Sequence, residues 1–220
     1  TVNTPVGKTE DALGGSASYF GVSAGFFSKV CLVACVGGDF RGADRFFLES
    51  RNIDLKGLEV VPEGKTFRWE GNYSGDMNQA ETLDTQLNVF ADFNPVIPDS
   101  YRRCEYVFLG NIDPVLQKQV LEQVNSPRLV VCDTMNFWIE GKFEALLETL
   151  KYVDVLIIND AETKQLASET NLVKAVRKIL NWGPSVVVVK RGEYGAAMFT
   201  TDATKQLEIF AAPAYPQENF

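Results

Sequence analysis

The chain has 220 residues, 45% of them hydrophobic, which is enough for one α/β domain with a sizeable core, or for such a core with a small appendage. Its formal net charge is −8 and it carries no Lys/Arg cluster, which argues against nucleic acid as a partner. It contains no histidine, so acid–base chemistry would fall to carboxylates, Lys, Tyr or Cys. A bound metal would be a hard ion on oxygen ligands, with Mg²⁺ as the natural candidate.

The cysteines and the apolar runs bear on the cellular compartment. The four cysteines form no CxxC pair, and three of them lie in or beside apolar runs, which predicts buried, reduced thiols and favours a cytoplasmic location. No apolar stretch reaches about 18 residues, so no transmembrane helix and no membrane partner are expected. The polar residues 1–5 do not resemble a signal peptide, and the lack of an initiator Met predicts a true start further upstream.

The first part of the chain predicts a helix, a strand and a second helix. Gly14-Gly15 precedes a Pro-free run of small and aromatic residues, which indicates a buried helix with Ser16 near its N-cap. A continuous apolar run that ends at Gly37-Gly38 is typical of a strand covered on both faces. The predicted elements are a helix over residues 16–27, a strand over 30–36 and an amphipathic helix over 39–51.

The next segment has the alternating pattern of half-exposed strands. Residues 66–73 and 83–89 alternate with period 2, and residues 75–78 between them predict a turn. Two strands alone are marginal in water, so their aromatic face must cover a substrate, the main domain or a second copy of the chain. We therefore predict a small β lid over residues 65–90, and an α/β core formed by residues 1–64 and 91–220.

The remainder of the chain alternates strands with helices, which predicts βαβ units and a mostly parallel sheet. The predicted strands are 106–109, 128–132, 153–158, 185–189, 196–200 and 206–210. The predicted helices are 114–124, 139–150, 161–168 and 172–182. Ligands of such sheets bind at the carboxyl ends of the strands, so the residues that follow each apolar run are the candidates for a site.

Those strand-end residues are rich in glycine, amides, carboxylates and cations. They are Gly37-Gly38-Asp39, Gly110-Asn111, Asp133-Thr134, Asn159-Asp160 and Lys190-Arg191-Gly192. Together they suit a polar ligand with phosphates and hydroxyls. The alternative is that loops between strands and helices are polar in any protein and supply helix caps.

Two of these motifs have a structural and a functional interpretation. Asn159 and Glu162 are spaced as a capping box, but a carboxylate and an amide at a strand end can also hold water around Mg²⁺ beside a phosphate chain. The segment from Lys190 to Gly195 is either a plain hairpin or a nucleotide-binding turn whose glycines permit close backbone approach. Gly14-Gly15 before a helix likewise forms either a turn or an anion-binding helix start.

Several common nucleotide and hydrolase motifs are absent from the sequence. There is no G-x-x-x-x-G-K-[ST] P-loop, no G-x-G-x-x-G dinucleotide fingerprint and no G-x-S-x-G nucleophile elbow. Without histidine there is also no Ser-His-Asp triad.

Taken in order, the motifs resemble those of the ribokinase-like (PfkB) carbohydrate kinase family. The matching segments are 13–20, 33–42, 159–162 (Asn-Asp-Ala-Glu) and 188–195, and the predicted lid falls where that family inserts one. The resemblance covers nearly the whole chain, and four motifs in order with a lid are more specific than any one of them.

The resemblance implies a central, mostly parallel sheet between helices, and roles for particular residues. The substrate would lie under the lid against Gly14, Gly15 and Ser16, with Asn111 and Asp133 as further polar groups near the substrate or the phosphate path. Asn159 and Glu162 would organise Mg²⁺ and phosphate, with Asp133 as a second candidate metal ligand. Lys190, Gly192 and Gly195 would lie along the nucleotide.

The implied activity is ATP-dependent, Mg²⁺-assisted phosphoryl transfer to a hydroxyl of a sugar or sugar-containing small molecule. The alternatives are a nucleoside kinase of the same fold and a non-catalytic sugar- or nucleotide-binding protein derived from it. The family's Gly-Ala-Gly-Asp motif, which carries the catalytic base, is expected after residues 211–216 and is not in the sequence, so these 220 residues alone are not expected to catalyse efficiently. A homodimer through the lid is a further expectation.

Overall fold

The computed structural model describes residues 1–74 and 80–216, and these form two compact units, Thr1–Arg102 and Arg103–Phe220. Within the described residues, none of the helices combines the length and the apolar character that crossing a bilayer requires. The four cysteines, all within the described residues, are free thiols; Cys35 and Cys132 are buried, whereas Cys31 and Cys104 are only partly buried.

The first unit contains two sheets and two helices. Its elements are β1 (Val2–Thr4), β2 (Gly7–Thr9), α1 (Ser16–Gly25), β3 (Val30–Gly37), α2 (Gly42–Ser50), β4 (Ile53–Val61), β5 (Arg68–Tyr73) and β6 (Ala80–Gln86). A short 3₁₀ helix, Asn88–Asp92, follows β6. Strands β3 and β4 pair in parallel, and Leu32, Leu48, Ile53 and Leu55 form the buried cluster beside them.

The predicted lid strands belong to a larger sheet than the sequence indicated. This sheet has four strands in the order β2-β1-β5-β6, so the N-terminal residues supply two strands that the sequence analysis missed. The second lid strand was predicted at 83–89 but is β6, and Val89 lies in the 3₁₀ helix instead. The predicted turn over residues 75–78 lies outside the described residues.

Aromatic side chains stabilise this region of the first unit from within. Trp69 donates a hydrogen bond from Nε1 to Thr82 Oγ1 at 3.1 Å, and its ring lies over Gly71, where an added Cβ would come within 2.0 Å of the ring. Phe67 packs edge-on against Phe90 with 5.7 Å between ring centroids. Part of the predicted aromatic face is therefore covered by the unit's own residues.

The second unit is a six-stranded sheet in the order β12-β11-β10-β9-β8-β7, flanked by helices. Its strands are β7 (Tyr106–Leu109), β8 (Leu129–Asp133), β9 (Val155–Asn159), β10 (Val186–Lys190), β11 (Ala196–Thr201) and β12 (Leu207–Ala212). Its helices are α3 (Pro114–Gln123), α4 (Asn136–Gly141), α5 (Phe143–Leu150), α6 (Asp160–Ala167) and α7 (Leu172–Leu180).

Strands β7 to β10 are parallel and the last two are antiparallel, which confirms the predicted α/β class with a mostly parallel sheet. The core lies between sheet and helices and includes fully buried Leu146, Leu156, Ile158 and Val187. One helix boundary was predicted wrongly. The helix expected over 139–150 is divided into α4 and α5 at Lys142, whose backbone angles (φ −140°, ψ 40°) are not helical.

Candidate functional site

The carboxyl ends of three parallel strands bring Asp133, Asn159 and Lys190 to one place. Lys190 pairs directly with Asn159 in the ladder between β10 and β9, and Asp133 pairs with Ile157, two residues before Asn159. Because paired residues share a face and alternate residues along a strand share a face, all three side chains lie on the same side of the sheet. The predicted convergence of these strand-end residues is therefore present within the second unit.

Asp133 is the most buried charged group of this cluster. Its side chain is 16% exposed, and its Oδ1 lies 3.5 Å from Lys190 Nζ, a long ion pair. Within the described residues Oδ1 has no hydrogen-bond partner. Burial raises the pKa of the Asp133 carboxyl above its ordinary value, and the Lys190 charge and the Thr134 N–H partly oppose that rise.

Glu162 extends the cluster from the first turn of α6. Its Oε2 accepts a hydrogen bond from the Asn159 N–H at 2.9 Å, and its own N–H donates to Asn159 Oδ1 at 2.8 Å. This capping box confirms the structural interpretation of the motif. Burial raises the pKa of Glu162; Asp133 adds to the rise, whereas the Asn159 N–H and Lys190 oppose it. The positive charge of Lys190 thus partly offsets the rise in pKa of both Asp133 and Glu162.

The donor set fits Mg²⁺ better than a metal that requires a complete protein cage. Within the described residues no group of three or more His, Cys, Asp or Glu side chains is placed to hold a metal. Mg²⁺ keeps several waters and uses one or two carboxylates together with substrate phosphates. Asp133, whose buried Oδ1 has only a long ion pair with Lys190, and Glu162, whose cap uses only Oε2, are the residues that meet this requirement.

A buried amide and a buried hydroxyl lie beside the cluster, and the sequence analysis named only the hydroxyl, that of Thr134. Gln117 of α3 is 1% exposed and donates hydrogen bonds to the carbonyl oxygens of Gly110 and Asp133, at 2.8 and 3.0 Å. Thr134 is 3% exposed, and its Oγ1 has no hydrogen-bond partner within the described residues. No periodicity or motif identifies Gln117, because only the folded chain brings α3 onto these strand ends.

Asn111, predicted to contact substrate, is held by a neighbouring helix. It follows β7, and its Oδ1 accepts a hydrogen bond from Trp138 Nε1 of α4 at 2.9 Å. The side chain is therefore fixed in orientation, and its contact with a substrate remains a prediction.

The glycines of the loop after β10 differ in their surroundings. This loop joins β10 to antiparallel β11 and is therefore a hairpin loop, as the structural interpretation predicted, and it contains a 3₁₀ turn, Gly192–Tyr194. Its contact with a nucleotide stays a prediction. Gly192 and Gly195 have positive φ angles of 55° and 85°, where glycine is favoured. A Cβ at Gly195 would lie 2.0 Å from Ala212 O, so this glycine is required by contact with the end of β12.

Replacing Gly195 by Ala is expected to lower the free energy of unfolding by about 2 kcal/mol or more, because it adds backbone strain and a clash. Gly141→Ala is the matched control in the same unit, since a Cβ there would meet nothing within 4 Å. Thermal unfolding of both variants measures the difference. Equal stability of the two would contradict the packing role of Gly195.

Gly14, Gly15 and Ser16 lie at the start of α1 in the first unit. Gly15, rather than Ser16, is the N-cap residue, with φ 90° and no side chain to cap the helix. A Cβ at Gly15 would meet nothing within 4 Å, so the backbone there is open to close approach by a ligand. The positive φ explains why glycine precedes the helix.

One predicted strand end has a structural role. A Cβ at Gly37 or Gly38 would lie 2.3 Å from Gly64 O or 2.1 Å from Pro62 O, so both glycines allow backbone contact within the first unit. Asp39 accepts hydrogen bonds from the N–H and Oγ1 of Thr66, both at 2.7 Å, and the Thr66 hydroxyl lowers the pKa of the Asp39 carboxyl.

Known proteins are similar to this chain in sequence or in fold. A cytidine kinase from Thermococcus kodakarensis is 25% identical over 99% of this chain and 77% of its own length. Burkholderia thailandensis nucleoside kinase, in complex with inosine, superposes with a TM-score of 0.75 at 13% identity, covering 99% of this chain and 74% of that one. A candidate ribokinase II from E. coli, in complex with ATP and Mg²⁺, gives 0.73 at 18% identity, covering 100% and 80%.

These likenesses confirm the ribokinase-like fold that the motifs predicted. The model of the pfkB family carbohydrate kinases matches residues 107–218, just over half of the chain, and this range includes the strand-end cluster. The chain therefore belongs to the PfkB family of sugar and nucleoside kinases.

Proposed function

We propose that the protein transfers a phosphoryl group from ATP to a hydroxyl of a sugar or nucleoside, with the cluster of Asp133, Glu162 and Lys190 on the phosphate side of the reaction. The observation that carries this proposal is the buried Asp133 Oδ1, which has no hydrogen-bond partner among the described residues and only a long ion pair with Lys190 Nζ at 3.5 Å. A buried carboxylate oxygen that is incompletely paired is costly, and a second cation bound to it would offset that cost.

In this proposal Lys190 and the two carboxylates have different electrostatic roles. Lys190, 51% exposed, supplies positive charge toward the phosphate chain, and Asp133 and Glu162 hold Mg²⁺ through oxygen. When bound, the ion would neutralise the charge of the phosphates during transfer. Asn159 holds the Glu162 backbone N–H, and Gly192 and Gly195 shape the loop beside the nucleotide.

Gly14, Gly15 and Ser16 of the first unit are proposed to bind the acceptor through the open backbone at the start of α1. Asn111 of the second unit is proposed separately as a substrate-binding residue. Gly15 supports this because its backbone is unobstructed at a helix start, where N–H groups point outward. The cytidine kinase relative favours nucleosides as the first acceptors to test, with simple sugars as the second.

Phosphoryl transfer by protein expressed from the complete gene tests the proposal. The assay follows ADP release with ATP and Mg²⁺ against a panel of nucleosides and sugars, and chelation of Mg²⁺ is expected to abolish turnover. Absence of transfer to every acceptor, with MgATP binding retained, would favour the non-catalytic binding protein. A Gly-Ala-Gly-Asp motif encoded beyond Phe220 would support the enzyme.

We also retain the proposals of a homodimer through the four-stranded sheet and of a cytoplasmic location. Strand β6 forms one edge of that sheet and is exposed along its whole length, which suits strand pairing or face contact with a second copy. Light scattering that gives a monomeric mass would contradict the dimer.

The proposed cytoplasmic location is supported by the free cysteines, which suit a reducing compartment.

A further inference from the structure

The ladder between β7 and β8 stops just before the candidate site. Its last pair is Leu109 with Cys132, so Gly110 and Asp133 are the first residues beyond it. On its other side β8 remains paired, because Asp133 still pairs with Ile157 of β9. Asp133 therefore needs a separate anchor toward β7.

The Gln117 side chain provides that anchor. Its Nε2 donates to Gly110 O at 2.8 Å and to Asp133 O at 3.0 Å, and so joins the two strands where the next ladder bonds would be. The Cys132 thiol lies 3.6 Å from Gln117 Oε1 as a donor. Both amide hydrogens and the amide oxygen are thus engaged, which fixes the orientation of the amide.

A glutamine at this position is costly unless it forms these bonds. The residue is 1% exposed, and an unsatisfied buried amide would destabilise the fold. The helix that carries it is itself held in place, since the Asp113 side chain caps α3 through the Val115 N–H at 3.0 Å. A rigid helix therefore presents a rigid amide to two strand ends.

We propose that Gln117 is a positioning residue for Asp133, which holds the β8 strand end so that the Asp133 carboxylate faces Lys190 and the metal–phosphate side of the site. This inference rests on the proposed function of Asp133. It adds a residue that acts through the backbone of Asp133, to which its amide is hydrogen-bonded.

The test replaces Gln117 by Met, which has similar length and no donors, and measures the Mg²⁺ concentration for half-maximal ATP binding. We expect this concentration to rise about tenfold, which is the usual effect of removing a residue that hydrogen-bonds to a metal ligand. Thr149→Val is the matched control. The Thr149 hydroxyl is buried and donates a hydrogen bond at 2.8 Å to Pro114 O of α3, the helix that carries Gln117. Loss of this hydroxyl therefore perturbs α3 without contact to Asp133. The control is expected to leave the Mg²⁺ requirement within twofold of the parent.

A double-mutant comparison with Asp133→Asn separates the inference from the proposed function. If Gln117 acts through Asp133, Gln117→Met adds little to the Mg²⁺ requirement of Asp133→Asn. Independent, additive increases would overturn the inference and leave the proposed function standing. No effect of Asp133→Asn alone would overturn both.

If Gln117→Met does not fold, Gln117→Glu is the second variant to test. It keeps the size of the side chain and, when the carboxyl is protonated, one hydrogen-bond donor. Its Mg²⁺ requirement is expected to lie between the parent and Asp133→Asn at low pH, and to increase as pH rises and the donor is lost. A Mg²⁺ requirement equal to that of the parent at every pH would overturn the inference.

Discussion

Replacing Glu162 by Gln is expected to lower kcat on the order of 100-fold without lowering the free energy of unfolding, because burial raises the pKa of Glu162 and its charge therefore opposes folding at neutral pH. Glutamine serves a capping box as well as glutamate does, so the hydrogen bond from the Asn159 N–H is retained and only the charge is lost. Steady-state kinetics and thermal unfolding of the same preparation give both quantities.

The control for this prediction is a cap at another helix of the same unit. Asn171 caps α7 by accepting a hydrogen bond from the Lys174 N–H at 3.1 Å, so Asn171→Ala is expected to cost about 1 kcal/mol of stability with little change in kcat. If Glu162→Gln behaves like this control, losing stability but not kcat, then Glu162 is a capping residue alone.

Asp133→Asn is expected to reduce kcat at least as strongly, yet to raise the thermal stability of the metal-free protein at pH 7. Burial raises the pKa of Asp133 in the folded state, so its ionised form opposes folding at neutral pH. The neutral amide removes that cost. Unfolding in the presence of a chelator measures the gain, and loss of stability in the variant would contradict the account.

The pH dependence of that gain has a definite sign. A carboxyl whose folded-state pKa is raised contributes stability below its unfolded pKa, and loses that contribution as pH rises through the folded pKa. The parent should therefore approach the stability of Asp133→Asn as pH falls below about 4, the ordinary pKa of Asp. The two proteins should differ most above the raised pKa. A difference that does not change with pH would contradict the assignment to this carboxyl.

The elements that the sequence predicted well are those with a strong local signal. Strand β7 was predicted residue for residue, because a short apolar run has few alternatives once helices flank it. The Asn159–Glu162 capping box was likewise recognised from its spacing and is formed. The convergence of Asp133, Asn159 and Lys190 followed from one rule about parallel strands.

The features that the sequence did not predict depend on distant partners. Strand β1 pairs with β5 across roughly 70 residues, for example Val2 with Gly71, and its own residues carry no alternation. The division of the predicted helix at Lys142 had only Gly141 as a signal. Gln117 looks like an ordinary polar residue on a helix, and its role depends on two carbonyl groups that become its partners only in the folded chain.

The most direct test of the central claim is the dependence of ATP affinity on Mg²⁺ in the parent, Asp133→Asn and Glu162→Gln proteins. If these carboxylates hold the metal beside the phosphates, calorimetry will show that Mg²⁺ tightens ATP binding to the parent about tenfold or more. The same measurement will show that either substitution removes most of this gain. Equal ATP affinity with and without Mg²⁺, or a gain that survives both substitutions, would contradict the claim.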